Sequence, residues 1–409
     1  MAETTTGLSL KRNILWNSVG STTRLACNYL ITIAVVRLSS GFDAAGALAL
    51  AMTISNLIAP LADFRLRTIQ VTDVAGERTT HDYVGLRMFT TLIAAIAGSA
   101  YAALTVNLSA FLVVFLYLVY SLTANFIEVM HAVNQRYLRM DYSGRSYIFQ
   151  GLSNLLAFSL ILWLTNSLVY AVVGLIVTTA AVAVFYDFPR TRRLESLRPA
   201  FDLLPALKLL LTLLPLALAQ MASSSILTIP RQHLAVLSGE AALGIYAAVA
   251  TPAVIIQMGA SFIYTPLMGE LAQRFAQDKK SALKLLRKTY LSILIASVAI
   301  SVFILIFGDL ILQIMFGEDI LAYTYLLLPA IVCTAFTAIA WFTNDVLLTL
   351  RDFKSALLGN AIPAVVTLLI SSVMVENFGM NGVSFVGIIA YALACLLMAG
   401  FLVHNYRKL

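Results

Sequence analysis

Charge is scarce in this sequence. Asp, Glu, Lys and Arg make up 11% of its 409 residues, and hydrophobic residues make up 60%. Soluble globular domains carry roughly 25% charged residues, so that class is excluded and the chain reads as a polytopic membrane protein. Cysteine is almost missing too. Cys27, Cys333 and Cys395 lie inside apolar runs, with neither metal spacing nor a disulfide framework, and read as small hydrophobes. Four histidines, His81, His131, His233 and His404, are scattered and make no HExxH or paired ligand spacing. No Walker A loop and no enzyme constellation occur, so neither ATP hydrolysis nor other catalysis is expected, and no metal or cofactor is implied.

Long apolar runs are present instead. Twelve can be drawn, at 13–36, 44–64, 85–106, 108–131, 147–165, 167–186, 209–234, 241–264, 289–308, 320–342, 355–375 and 381–404. Each is near the length that crosses a bilayer, about 20 residues. An even number puts both ends of the chain on one side. With that side cytoplasmic, 24 of the 27 basic residues fall in inner segments. The outer loops hold Asp43, Glu240, Asp309, Glu318, Asp319 and Glu376. The net charge of +7 is thus an orientation signal of the positive-inside kind, and nucleic acid is excluded as a partner. Lys11 and Arg12 precede the first run as in a signal peptide, but its length marks a retained span. Glu270–Tyr290 is basic and amphipathic. It is expected either to lie on the inner surface against anionic headgroups or to form a solvated loop helix.

The largest central break, from Asp187 to Lys208, has five basic residues and three prolines. It divides the chain into an N-terminal six-helix lobe (1–188), a cytoplasmic linker (189–208) and a C-terminal six-helix lobe (209–409). A repeat spans the division. Ser40, Gly41, Ala44, Gly46, Ala49 and Ala51 match Ser238, Gly239, Ala242, Gly244, Ala247 and Val249. A second match pairs Arg139-Met140-Asp141-Tyr142 with Arg351-Asp352-Phe353. Both halves start on the same side, as in parallel repeats of rocking transporters.

The first span contains Arg24 at its centre, where a charge costs roughly 2.5–3.5 kcal/mol on insertion scales. Either interface is roughly 17 Å away at 1.5 Å per residue, too far to snorkel. Asn17, Ser21, Arg24, Asn28 and Thr32 share one helical face. Arg24 either pairs with an acid or with carbonyls between helices, or lines a wet cavity. The second is favoured because Asp63, Glu128 and Asp345 fall near cytoplasmic ends of spans, not at its depth. In the seventh span, Gln220, Ser224, Thr228 and Arg231 share a face, between Pro215 and Pro230. Arg231 either lines the same passage or snorkels outward. Gln257 and Asn56 are further polar candidates, though a lone residue of this kind is more often a helix-to-helix hydrogen bond than a ligand contact. A guanidinium in a low-dielectric cavity suits phosphate oxygens, which it grips as a fork. Arg24 at mid-depth, with Arg37 and Arg231 toward the outer face, would guide an anionic headgroup while its lipid tail stays in the bilayer.

Two six-helix lobes, an inner linker, and Pro230-Arg231 followed by Gly239 and Leu243-Gly244-Ile245-Tyr246 resemble the polysaccharide (Wzx-type) flippases. These form part of the multidrug/oligosaccharidyl-lipid/polysaccharide (MOP) exporter superfamily. The resemblance implies an all-α, MOP/MATE-like membrane fold. It also implies alternating-access export of an undecaprenyl-diphosphate-linked oligosaccharide across the bacterial inner membrane. Membrane lipids and the lipid-linked anionic oligosaccharide would be its partners, with polysaccharide polymerase machinery a candidate. Peptidoglycan-precursor flippases usually have two more spans. Drug exporters of the superfamily often carry an acid in the first or seventh span, where this chain has arginines. The expected substrate-binding residues are Arg24, Asn28, Asn17, Arg231, Gln220, Gln257 and Arg37; Glu128 and Asp345 are the acids expected to couple an ion. The alternatives are a cation-coupled multidrug exporter and a non-transporting scaffold of a glycan-assembly complex.

Overall fold

A computed structural model describes residues 7–73 and 78–408, with side chains described to residue 404. It is all helical among those residues. The elements are α1 (Leu10–Leu38), α2 (Asp43–Asp63), α3 (Leu66–Thr72), α4 (Thr80–Thr105), α5 (Leu108–Arg136), α6 (Met140–Thr165), α7 (Leu168–Val182) and α8 (Phe188–Leu194). They continue as α9 (Leu203–Ala250), α10 (Val254–Tyr264), α11 (Met268–Gln277), α12 (Lys279–Phe316), α13 (Leu327–Thr349), α14 (Phe353–Phe378) and α15 (Met380–Lys408). Eleven helices among the described residues are long and apolar enough to cross a membrane. The expected eighth span, 241–264, is divided. Its first part extends α9 beyond Gly239, which leaves helical geometry at φ 86° and ψ 168°, and its second part is α10. A glycine is what that backbone needs, because φ there is positive.

Gly41, its partner in the repeat, also has positive φ, at 119°. The motif therefore marks the bend after the first and seventh spans. The second repeat match needs a one-residue correction. Leu138 and Arg351 both have positive φ, at 54° and 59°. The next amides close the same turn, Arg139 to the Asn134 carbonyl at 2.8 Å and Asp352 to that of Leu347 at 2.9 Å. The backbone thus matches Leu138 with Arg351, not Arg139 with Arg351. The helices that follow, α6 and α14, are both 26 residues long.

The chain divides into two compact units, 1–217 and 218–409, with the boundary inside α9. In the first unit, α1 and α6 approach through glycine. A Cβ on Gly20 would come within 2.5 Å of the Gly144 carbonyl oxygen, and one on Gly144 within 2.4 Å of the Trp16 carbonyl oxygen. Small residues permit such backbone approach, which replaces hydrophobic driving force in lipid. Asn13 fixes the helix ends: its Nδ2 donates to the Leu8 carbonyl and its Oδ1 accepts from the Met140 amide, at 2.9 and 2.8 Å. The linker is strapped to α4. The Ala200 amide bonds the His81 carbonyl at 3.0 Å, and Phe201 packs on Phe89. In the second unit, Phe342 lies at the centre of an apolar cluster, flanked by the rings of Tyr264 and Tyr290. Large apolar side chains such as Leu156, Phe185, Leu369 and Leu396 point outward, as a lipid-facing surface requires.

The basic stretch Glu270–Tyr290 is not one helix. It breaks at Asp278, whose carboxylate accepts the Lys280 and Ser281 amides and starts α12, which then runs on without interruption through the ninth span.

Candidate functional site

α5 carries Glu128, His131 and Gln135 at spacings of three and four, so all three share a face. α6 turns Ser146, Tyr147 and Gln150 toward it, and α3 adds Arg67. Behind them, α7 widens into a π-helical turn, Ala183–Asp187. Pro189 supplies a reason: it has no N–H for the carbonyl four residues earlier, and its ring crowds that carbonyl. The turn places Asp187 wholly inside the unit, where it accepts from the Ser146 hydroxyl at 2.8 Å. Such turns often occur at functional positions.

Glu128 is the hub. Its carboxylate accepts from Arg67 and from the Tyr147 hydroxyl, the latter at 3.0 Å. Arg67 also donates to the Tyr147 oxygen at 2.8 Å and to Gln135 at 3.2 Å. His131, fully buried, stands between two carboxylates, 3.7 Å from Glu128 and 3.4 Å from Asp187. Its ring meets that of Tyr147 edge-on at 4.7 Å.

Arg24 joins this cluster from α1. Its guanidinium lies 3.8 Å from Glu128 and 4.3 Å from the Tyr147 ring centre, and its side chain is 33% exposed. The expectation that no acid shares its depth is therefore corrected. α5 runs to Arg136, five residues past the expected end, so Glu128 sits about 12 Å inside the helix rather than at its edge. Arg24 is nonetheless the looser partner. Arg67 and Tyr147 hold the carboxylate in hydrogen bonds, whereas Arg24 stands outside hydrogen-bond distance and keeps part of its surface open. A Cβ on Gly151 would come within 3.0 Å of the Arg24 Cα, so the backbone beneath the guanidinium is held against α6.

Of the other expected residues, Asn17 and Asn28 are half-buried on α1, and Arg37 is exposed in its last turn. Gln220, Arg231, Gln257 and Asp345 belong to the second unit. Gln220 is exposed on α9. Arg231 is half-buried, within electrostatic reach of Tyr246, Cys333 and Tyr391. Gln257 is half-buried with its Nε2 shielded and without a hydrogen bond. Asp345 is bonded to the Tyr264 hydroxyl. Arg24 and Glu128, placed in different roles by the sequence, are the pair that the structure brings together.

Arg67, His131, Tyr147 and Asp187 lie outside the set expected from sequence. Asp187 closes an apolar run and reads there as the first residue of the central polar break. His131 carries a usable signal, since it follows Glu128 by three residues within an apolar helix. Arg87, which reads as an inner-loop cation, is 1% exposed and paired with Asp63 at 3.2 Å, so it braces α2 against α4. Among the described residues, no group of three or more His, Cys, Asp or Glu could hold a metal ion.

Comparison with solved structures identifies the fold. An inward-facing multidrug resistance MATE family transporter of the MOP superfamily matches with a TM-score of 0.69 at 14% identity, covering 97% of this chain and 99% of that one. The fold is that of the MOP-superfamily transporters. The lipid II flippase MurJ, in an inward closed conformation, matches with a TM-score of 0.73 at 9% identity, over 97% of this chain and 89% of that one. The MATE multidrug transporter DinF-BH matches with a TM-score of 0.67 at 15% identity, over 97% of this chain and 96% of that one. These neighbours are transporters and a flippase. Neither protein-family models nor curated sequences give a match.

Proposed function

We propose that this chain is a flippase for an anionic lipid-linked oligosaccharide. Its substrate would be an undecaprenyl-diphosphate-linked repeat unit, exported across a bacterial inner membrane by alternating access with both termini cytoplasmic. One observation carries the reading: the guanidinium at the middle of α1 is a third exposed and loosely held by a carboxylate already engaged elsewhere. A cation so placed has surface left for a diphosphate, and its fork matches phosphate oxygens. Asn17 and Asn28 would flank the headgroup on α1, with Arg37 toward the outer end. Within the second unit, Gln220, Arg231 and Gln257 are the polar side chains proposed to meet the substrate. Glu128 and Asp345 would be the coupling acids, and polysaccharide polymerase machinery would take the product.

The Glu128–His131–Asp187 row favours a second reading, a cation-coupled multidrug exporter, because buried acids beside an imidazole can exchange a proton. One experiment separates the two. Proteoliposomes receive a lipid-diphosphate saccharide or a cationic dye, with wild type, Arg24→Lys and Arg24→Ala compared. The flippase reading expects saccharide flipping by wild type, a partial rate for the lysine variant and a loss of at least tenfold for alanine, about 1.4 kcal/mol in the barrier. Equal flipping by all three would overturn it, and dye transport driven by a pH gradient would favour the exporter.

A further inference from the structure

A groove of about 670 Å³ opens in the second unit, on the end of the bundle where the basic loops lie. Its walls are apolar: Leu283 and Leu286 from α12, Phe336 and Ile339 from α13, Leu396 and Val403 from α15. Two hydroxyls reach it, Tyr290 and Thr343, but they bond one another at 2.7 Å and ask for no ligand. Arg287 is the single charged residue on its wall, and its side chain is exposed.

The surroundings of Arg287 are of one sign. Lys280 and Lys284 precede it by two turns and one turn on the same helical face, and Lys279 and Lys288 add to the field. After the Asp278 cap, α12 carries no acid until Asp309. Arg274, the nearest cation on α11, is engaged by Glu270 and Ser281, so its charge is answered. The α15 stretch along the groove, from Ala392 to Val403, is about 16 Å long. A slot that is apolar along its length and cationic at one rim matches a molecule with a hydrocarbon chain and one anionic head. Basic pockets between membrane helices on the cytoplasmic side bind anionic lipid headgroups for this reason.

We infer that this groove is a binding site for one anionic phospholipid, with an acyl chain laid along α15 and the phosphate at Arg287, assisted by Lys284. The site is separate from the Arg24 cluster and depends on neither transport reading. The bound lipid would join α11, α12, α13 and α15 in one leaflet and stabilise them together. The lipid's negative charge is the selected feature, because any lipid offers a chain.

The test uses the full chain, exchanged into bilayers of equal phosphatidylglycerol and phosphatidylethanolamine, extracted in mild detergent and analysed for retained lipid by mass spectrometry. Wild type should retain phosphatidylglycerol in excess. Arg287→Gln should lower that retention about fivefold, the factor one basic side chain contributes near an anionic surface, and Arg287→Lys should restore most of it. Ala399→Trp, which fills the groove, should remove both lipids. Thermal unfolding in phosphatidylethanolamine alone should be the same for Arg287→Gln and wild type, while added phosphatidylglycerol should raise the wild-type midpoint only. Equal retention of the two lipids, or an Arg287→Gln variant that retains phosphatidylglycerol like wild type, would overturn the inference. So would displacement of phosphatidylglycerol by equimolar polyprenyl diphosphate, which would make the groove part of the substrate path. Should Ala399→Trp fail to fold, the Arg287 pair still decides.

Discussion

α5 of the first unit and α13 of the second end in the same turn, yet what surrounds them differs. Carrying the Leu138–Arg351 match along both helices puts His131 opposite Asn344, Tyr147 opposite Asn360 and Glu128 opposite Trp341. The aromatic contact of His131 with Tyr147 is replaced by a hydrogen bond from Asn360 to Asn344 at 2.8 Å. Where the first unit buries Asp187 and His131 and half-buries Glu128 and Arg67 beside them, the second packs Phe342 between tyrosines. A shared backbone plan therefore does not impose a shared interior. Charge removed from water costs several kcal/mol per ion unless paired, so the Glu128 cluster depends on its partners in a way that the Phe342 cluster does not.

The largest expected effect is on the hub of that asymmetry. Glu128→Leu leaves Arg67 and Arg24 facing each other without an acid, and should cost about 3 kcal/mol, the low end for a buried pair, because Glu128 and Arg67 keep 17% and 24% of their side chains exposed. Asp345→Asn, which keeps a polar partner for Tyr264, should cost under about 1 kcal/mol. Thermal unfolding in one detergent compares them, and equal losses would break the distinction between the units. Next come the glycines. Gly144→Ala drives a methyl into backbone of α1, and overpacking costs about 1–3 kcal/mol. Gly359→Ala meets only the Met398 side chain, which can move, so its cost should be smaller. Tyr147→Phe removes hydroxyl bonds to Glu128 and Arg67 and should cost about 1.5–3 kcal/mol, whereas Tyr290→Phe, which loses a bond between neutral hydroxyls, should cost about 1 kcal/mol. Effects as small as that of Tyr290→Phe are expected at caps. Asp278→Ala and Thr79→Ala each remove a helix N-cap, at about 1 kcal/mol.

Much of the fold is legible in the sequence because a bilayer leaves few options. Length and hydropathy locate the spans, and the backbone has to satisfy itself within them. The break at Gly239 is half legible: the repeat points to Gly41 and Gly239, but a shared sequence motif does not state a torsion angle. The one-residue slip at Arg139 arises because the two arginines match in identity, while the turn depends on which residue adopts positive φ. In the candidate site, Arg24 announces itself by depth alone. Its neighbours do not, because contact between α1, α3, α5 and α7 depends on how helices pack. Glu128 is misplaced when the helix is drawn five residues short, and Asp187 when it is taken as the first residue of the polar break rather than as part of the bundle.

Arg24 is either held in reserve for an anion or is a strut for Glu128. Binding of a soluble polyprenyl-diphosphate analogue to purified wild type and Glu128→Gln, at equal ionic strength, tests this most directly. With the competing carboxylate neutralised, an available Arg24 should bind the diphosphate several-fold more tightly, and Arg24→Ala in the same background should abolish the gain. Weaker or unchanged binding by Glu128→Gln would contradict the reserve role and leave Arg24 a structural pair.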